Sequence, residues 1–294
     1  MGFVTSSAPG KCILFGEHAV VYGHPAVAVA IDQRISLKIQ PSPNNLWLLD
    51  GSSLNMNRNP HIKGLIEKLW PEKDGAPALS IHIKGNIPRA SGLGSSASLS
   101  VAFAAALRMA RGRWVSKTDG IQQQHWLEGF GSSITNSEPY DNSPGFFTTE
   151  SQDDTYHITS KGSVDHDECA ILAHSVEAAA QQGRASPMDS STCSHGGIVI
   201  ISDVVEPGLD YLYQRTLAMK DATRQWHIHN MSTPSNSDDV YLVIGNTGVH
   251  APTGKQVAKV ADMLQQDPSR MKEIDTIGQI ARRGIKALKE GDFA

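Results

Sequence analysis

The sequence has 294 residues, 39% apolar and 19% charged, which is enough apolar content to bury a sizeable core and too much for a disordered chain. Its 26 Lys+Arg against 30 Asp+Glu leave a formal charge of −4, which excludes broad electrostatic binding to nucleic acid. No apolar run approaches the roughly 18 residues of a membrane span, no basic-then-apolar leader opens the chain, and Cys12, Cys169 and Cys193 lack metal-type spacing; the expectation is a cytoplasmic protein without membrane or nucleic-acid partners.

Phe3, Val4 and Thr5 read as an opening strand, a better account than the loose myristoylation pattern that residues 1–6 also match. Strands are predicted at 26–31, 34–39 and 79–83 from apolar or alternating runs. Ile62, Leu65, Ile66 and Leu69 recur at helical spacing, and the alanine-rich stretch 99–109 predicts a buried helix. Over 114–162 Ser, Thr, Asp, Asn, Gln and Gly dominate and no period is sustained, so a surface insertion without regular structure is expected. Cys169, Leu172, Ala173, Val176 and Ala180 then mark one face of a helix. Strands are expected at 197–201 and 240–245, with a poorly patterned polar stretch over 216–239. Two amphipathic helices follow, one carrying Val257, Val260 and Leu264, the other Ile277, Ile280 and Leu288.

Three segments carry chemistry. The first runs Ser7-Ala8-Pro9-Gly10-Lys11-Cys12-Ile13-Leu14-Phe15-Gly16-Glu17-His18-Ala19-Val20-Val21-Tyr22-Gly23: a turn, a lysine, an apolar strand, then Gly-Glu-His. The second is Pro88-Arg89-Ala90-Ser91-Gly92-Leu93-Gly94-Ser95-Ser96-Ala97-Ser98, feeding into the alanine-rich helix. Small residues let the backbone approach an anion, and a helix N-terminus presents unpaired N–H groups and a positive dipole end. Neither a Walker A loop nor the Rossmann glycine spacing is present, and an ordinary glycine turn remains open for this loop by itself. The third, Gly183 to Gly197, holds Asp189 in Ala185-Ser186-Pro187-Met188-Asp189, where an aspartate more often caps a turn. Cys193 and His195 would share a face only in a strand and lack a third orienting group, which argues against a nucleophile–base pair.

In this order the segments resemble the GHMP kinases, and Gly16-Glu17-His18-Ala19-Val20-Val21-Tyr22-Gly23 resembles the mevalonate kinase branch of that superfamily. The resemblance covers residues 3–112 and 163–294. It implies an α+β, two-domain fold: an N-terminal domain over 1–215, interrupted by the 114–162 insertion, and a partial C-terminal domain over 216–294. That second domain is expected to be incomplete, since the family's Gly-Ala-Gly-Gly-Gly-type third motif is absent. It also implies ATP-dependent phosphorylation of the primary hydroxyl of mevalonate, a step toward isoprenoid precursors. By resemblance Asp189 takes the hydroxyl proton and Lys11 holds Asp189 ionised, while Glu17 and His18 face the substrate. Pro88, Ser91, Gly92, Leu93, Gly94, Ser95, Ser96 and Ala97 would bind ATP, and Ser96 and Glu177 would ligate Mg2+. A sibling kinase acting on phosphomevalonate or another alcohol, a catalytically silent ligand-binding homologue, and a homodimer all stay open at this level.

Overall fold

A computed structural model describes residues 3–71, 75–88, 91–111, 113–118, 121–126, 130, 155–158, 165–181, 185–218, 223–232, 241–245, 248 and 253–292. Its strands are β1 (Val4–Phe15), β2 (Ala26–Pro41), β3 (Leu48–Leu49), β4 (Ser52–Ser53), β5 (Leu79–Gly85), β6 (Arg113–Thr118), β7 (Ile121–Trp126), β8 (Thr155–Ile158), β9 (Ile198–Ser202), β10 (Asp210–Ala218) and β11 (Thr223–Met231). Its α-helices are α1 (Pro60–Leu69), α2 (Ser95–Ala110), α3 (His166–Ala180), α4 (Met188–His195), α5 (Thr253–Gln266) and α6 (Met271–Glu290).

β2 is the spine of an eight-stranded sheet ordered β10-β11-β9-β2-β5-β3-β4, with β1 also paired to β2. Its first half pairs with β9 and its second half with β5, while β1 runs antiparallel along both. The two strands expected at 26–31 and 34–39 are therefore one. The register steps from Pro9 opposite Arg34 to Gly10 opposite Ile31, leaving the exposed Asp32 and Gln33 as extra residues at the joint.

Strand alternation assigns the layers. Ala26 and Ala28 on β2, with Val199 and Ile201 on β9, share a cluster with Met188, Tyr213, Trp226 and Ile228. Their intervening neighbours Val27 and Ile200 instead pack with Ile285 and Leu288, so α6 covers the opposite face. Farther along, Ala8, Leu37, Ile39 and Ile81 join α1, α2 and α3 in the largest cluster. Helix α1 contributes one stripe, Ile62, Leu65, Ile66 and Leu69, behind a proline in its first turn. Helix α2 is buried nearly all round, and alanine there lets the sheet and neighbouring helices approach it closely.

Three expectations are corrected. Within 114–162, β6 and β7 form a hairpin and β8 adds to β6, giving a separate three-stranded antiparallel sheet; the remainder of the expected insertion, apart from the turn residue Phe130, lies outside the described residues. The ladder is made by backbone groups, so a polar, glutamine-rich strand leaves little hydrophobic signal. The stretch read as poorly patterned over 216–239 contains most of the β10–β11 hairpin, whose inward residues include Trp226 and Ile228 among polar neighbours. Conversely, residues 241–245 are not a strand: Val243 is 91% exposed and Tyr241 83%, and among the described residues no strand pairs with them. An apolar run without a partner edge has no ladder to join. Residues 240, 246, 247 and 249 lie outside the described residues. The boundary expected between 215 and 216 falls inside β10. No helix among the described residues is long and apolar enough to cross a membrane.

Candidate active site

Lys11 and Asp189, 178 positions apart, meet with Nζ 2.9 Å from Oδ1; the Lys11 side chain is 5% exposed and that of Asp189 23%. β1 supplies the lysine and the first turn of α4 the aspartate, where the helix dipole favours an anion. Ser190 and Ser191 donate to the Pro187 carbonyl and fix that turn. Burial alone would lower the Lys11 pKa. The charge and hydrogen bond of Asp189, with a contribution from Glu17, outweigh it, and the shift is upward.

The glycine loop lies directly against this pair. The Lys11 N–H donates to the Leu93 carbonyl at 3.0 Å, and a Cβ on Gly10 would come within 2.8 Å of that same oxygen. Gly94 has φ +74°, and a Cβ there would sit 2.9 Å from Lys11 Cγ, so glycine is required by both conformation and space. Ser98 of α2 donates to the Ala8 carbonyl at 2.7 Å, tying helix to strand. No side chain caps the N-terminus of α2, which leaves its first N–H groups available beside Ser95 and Ser96. Ser91 donates to the Pro88 carbonyl, and Ala97 packs its methyl into the core, so only its backbone can serve a ligand. Arg89 and Ala90 lie outside the described residues.

Glu177, near the end of α3, is the unusual member. Its Oε1 accepts from Gln181 Nε2 at 3.1 Å, while the buried Oε2 has no hydrogen-bond partner. Burial, reinforced by the charge of Asp189, pushes its pKa up to about 8 against the opposing pull of Lys11 and Gln181. An orphaned carboxylate oxygen beside a second carboxylate fits a hard cation that takes oxygen ligands.

These groups line a cavity of about 200 Å3 that gathers Lys11, Glu17, His18, Gly92, Glu177 and Asp189. Gly16 has φ +84°, and a Cβ there would overlap the Pro25 carbonyl at 2.3 Å. His18 follows at φ +63°, a strained conformation for a histidine. Pro88, Ser91, Leu93, Gly94, Ser95, Ser96 and Ala97 do not line this cavity. Cys193 turns its sulfur toward the Gly94 carbonyl and His195 approaches Asp167 at 3.0 Å, so the two face different neighbours. Ile13, Val20 and Val21 form an apolar wall, and Gln181 and Gln256 are further lining residues that sequence reading passed over. The i, i+4 spacing of Glu177 and Gln181 was the available signal for one of them; nothing local marks Gln256.

The GHMP kinases N terminal domain model matches residues 60–142. The mixed α+β fold is shared with the solved L. major mevalonate kinase in complex with R-mevalonate, which superposes with a TM-score of 0.57 at 21% identity, covering 98% of this chain and 70% of that one. Among curated relatives, the Methanothermobacter thermautotrophicus mevalonate kinase is 28% identical over 289 residues, 97% of this chain and 70% of that protein. The Archaeoglobus fulgidus mevalonate kinase is 44% identical over 104 residues, 35% of this chain and 36% of that protein. Residues 60–142 thus resemble the GHMP kinase N-terminal domain, and the curated relatives named here, one of them aligned over most of the chain, are mevalonate kinases.

Proposed function

We propose that this chain transfers the terminal phosphoryl group of ATP to the primary hydroxyl of mevalonate, with Mg2+ as cofactor. The observation that carries the reading is the Lys11–Asp189 pair opening on a cavity that also holds the orphaned Glu177 oxygen and adjoins a glycine loop. Phosphoryl transfer is mostly positioning and charge stabilisation, and this arrangement supplies both. Asp189, kept ionised by Lys11, accepts the proton of the attacking hydroxyl. Lys11 also offsets negative charge at the transferred group.

Pro88, the loop residues Ser91 to Gly94 and the N–H groups from Ser95 to Ala97 cradle the ATP phosphates, with the α2 dipole end toward them. Glu177 and Ser96 would hold Mg2+, which when bound neutralises charge on the phosphate oxygens. Glu17 and His18 orient the polar ends of the alcohol, while Ile13, Val20 and Val21 meet its methyl group and chain carbons. Residues 1–215, with the strand pair that crosses this boundary, supply the reacting groups; 216–294 add α5, whose Gln256 and Val257 stand on the rim.

The test is ADP release from ATP·Mg with a panel of alcohols: mevalonate, phosphomevalonate and unrelated sugars. ADP formation with mevalonate as the preferred acceptor is expected. Preference for another alcohol overturns the substrate, and ligand binding without ADP formation overturns the reaction.

A further inference from the structure

Next to the cavity lies a hydrogen-bonded chain, built around the fully buried His174, that the chemistry above does not use. Arg215 on β10 directs Nε at His174 Nδ1 at 2.9 Å, and its Nη2 donates to Ser175 Oγ at 3.1 Å. A guanidinium can only donate, so His174 Nδ1 carries its lone pair and the ring proton sits on Nε2. That proton is donated at 3.0 Å to the carbonyl of Ala185, a cavity-lining residue four positions before Asp189. His174 is fully buried on α3, three residues before Glu177. Burial lowers its pKa to about 4, so the ring stays neutral where the enzyme would work. The ring stands perpendicular to Trp226 of β11, centroids 6.1 Å apart, and the Trp226 indole donates at 2.9 Å to the carbonyl of Val20 on the apolar wall. One hairpin thus reaches two lining residues of the cavity, Ala185 through Arg215 and His174, and Val20 directly through Trp226.

We propose that Arg215 and His174 are positioning residues: Arg215 fixes the histidine tautomer, and His174 holds the Ala185 carbonyl so that the following turn presents Asp189 to the substrate. This rests on the function proposed above. No other polar contact is described for the Arg215 head group, and a neutral donor–acceptor side chain is what the two ends of the chain require. A displacement of the reacting carboxylate by about 1 Å is enough to cost on the order of a hundredfold in rate.

The experiment compares His174→Gln, which carries an acceptor and a donor, with His174→Phe, which keeps a ring and neither. Each variant is assayed for kcat and for KM of both substrates, and its melting temperature is recorded. Expected is a fall in kcat of roughly ten- to hundredfold for His174→Phe with KM for ATP within about twofold, and recovery of most of that loss in His174→Gln. Equal impairment of both variants, or kcat unchanged in His174→Phe, overturns the proposal. In parallel, 15N-histidine NMR of the full chain reads the tautomer without turnover: Nε2–H in the native protein, giving way to a mixture in Arg215→Met. An Nδ1–H ring overturns the proposal by itself. If the native chain phosphorylates no alcohol, the functional reading fails, and the tautomer measurement still decides the geometry.

Discussion

Two ion pairs of opposite meaning anchor the helices, one joining α2 to α3 and the other joining α4 to strand β1. Arg108 of α2 and Glu168 of α3 meet at 2.9 Å with side chains 4% and 2% exposed, and Lys11 and Asp189 meet at the same distance with the acid 23% exposed. The first pair is sealed between two helices; the second opens its carboxylate to a cavity. Distance and charge are therefore poor guides to role. What separates structure from chemistry here is access, together with the supporting loop that approaches Lys11 and leaves Arg108 alone.

The largest contrast should come from removing each acid or base in turn. Asp189→Asn is expected to lower turnover by about a thousandfold while ATP binding, followed by calorimetry, stays near the native value. Retained turnover would remove Asp189 from the role of base. Arg108→Ala should behave in the opposite way: it removes the guanidinium that a buried carboxylate meets at 2.9 Å and costs about 3–5 kcal/mol of stability in denaturant unfolding, while the folded fraction keeps its kcat. A loss of kcat in folded Arg108→Ala would erase the distinction between the pairs.

Glu177 is predicted to be the intermediate case. Glu177→Gln should raise the Mg2+ concentration for half-maximal rate by about ten- to hundredfold, with a smaller change in metal-saturated kcat. Its raised pKa also fixes a pH signature. The folded state holds a proton on Glu177 between the ordinary carboxylate pKa of 4.5 and about 8, so its contribution to stability is present in full below 4.5 and is lost as pH rises toward 8. Chemical denaturation of the metal-free native chain across that window should show the decline, and Glu177→Gln should flatten it. A native profile that rises over the same range would contradict the assignment of burial as the dominant cause.

The sequence revealed the elements that carry strong local constraints. Helix α1 shows its stripe, α2 its alanine run, and the glycines at 10, 16 and 94 occupy places where a side chain would collide with backbone or with Lys11. The meeting of Lys11 with Asp189 came from resemblance, because no spacing rule joins residues 178 positions apart. The hairpin of β10 and β11 escaped notice because glutamine and arginine alternate there with the apolar positions and spend their side chains on hydrogen bonds, Arg215 to the buried His174 and Gln225 to His227. Periodicity registers hydrophobicity, and Arg215 or His174 gives it nothing to register. The run at 241–244 erred in the other direction: it has strand composition, but a strand is a relation between two edges.

The joint at Pro9 and Gly10 has a consequence for how this site tolerates change. Before it, Ser6 and Ala8 turn toward α2; after it, Lys11 and Ile13 turn toward the cavity, so the inward parity of β1 passes from even to odd. The ammonium is aimed by counting residues. Losing one residue between 5 and 10 would present the thiol of Cys12 where Lys11 now points, and gaining one would present the hydrogen of Gly10, with the outer half of the strand still paired. For the ancestry of this chain, length in that short stretch should be as constrained as the identity of the lysine itself.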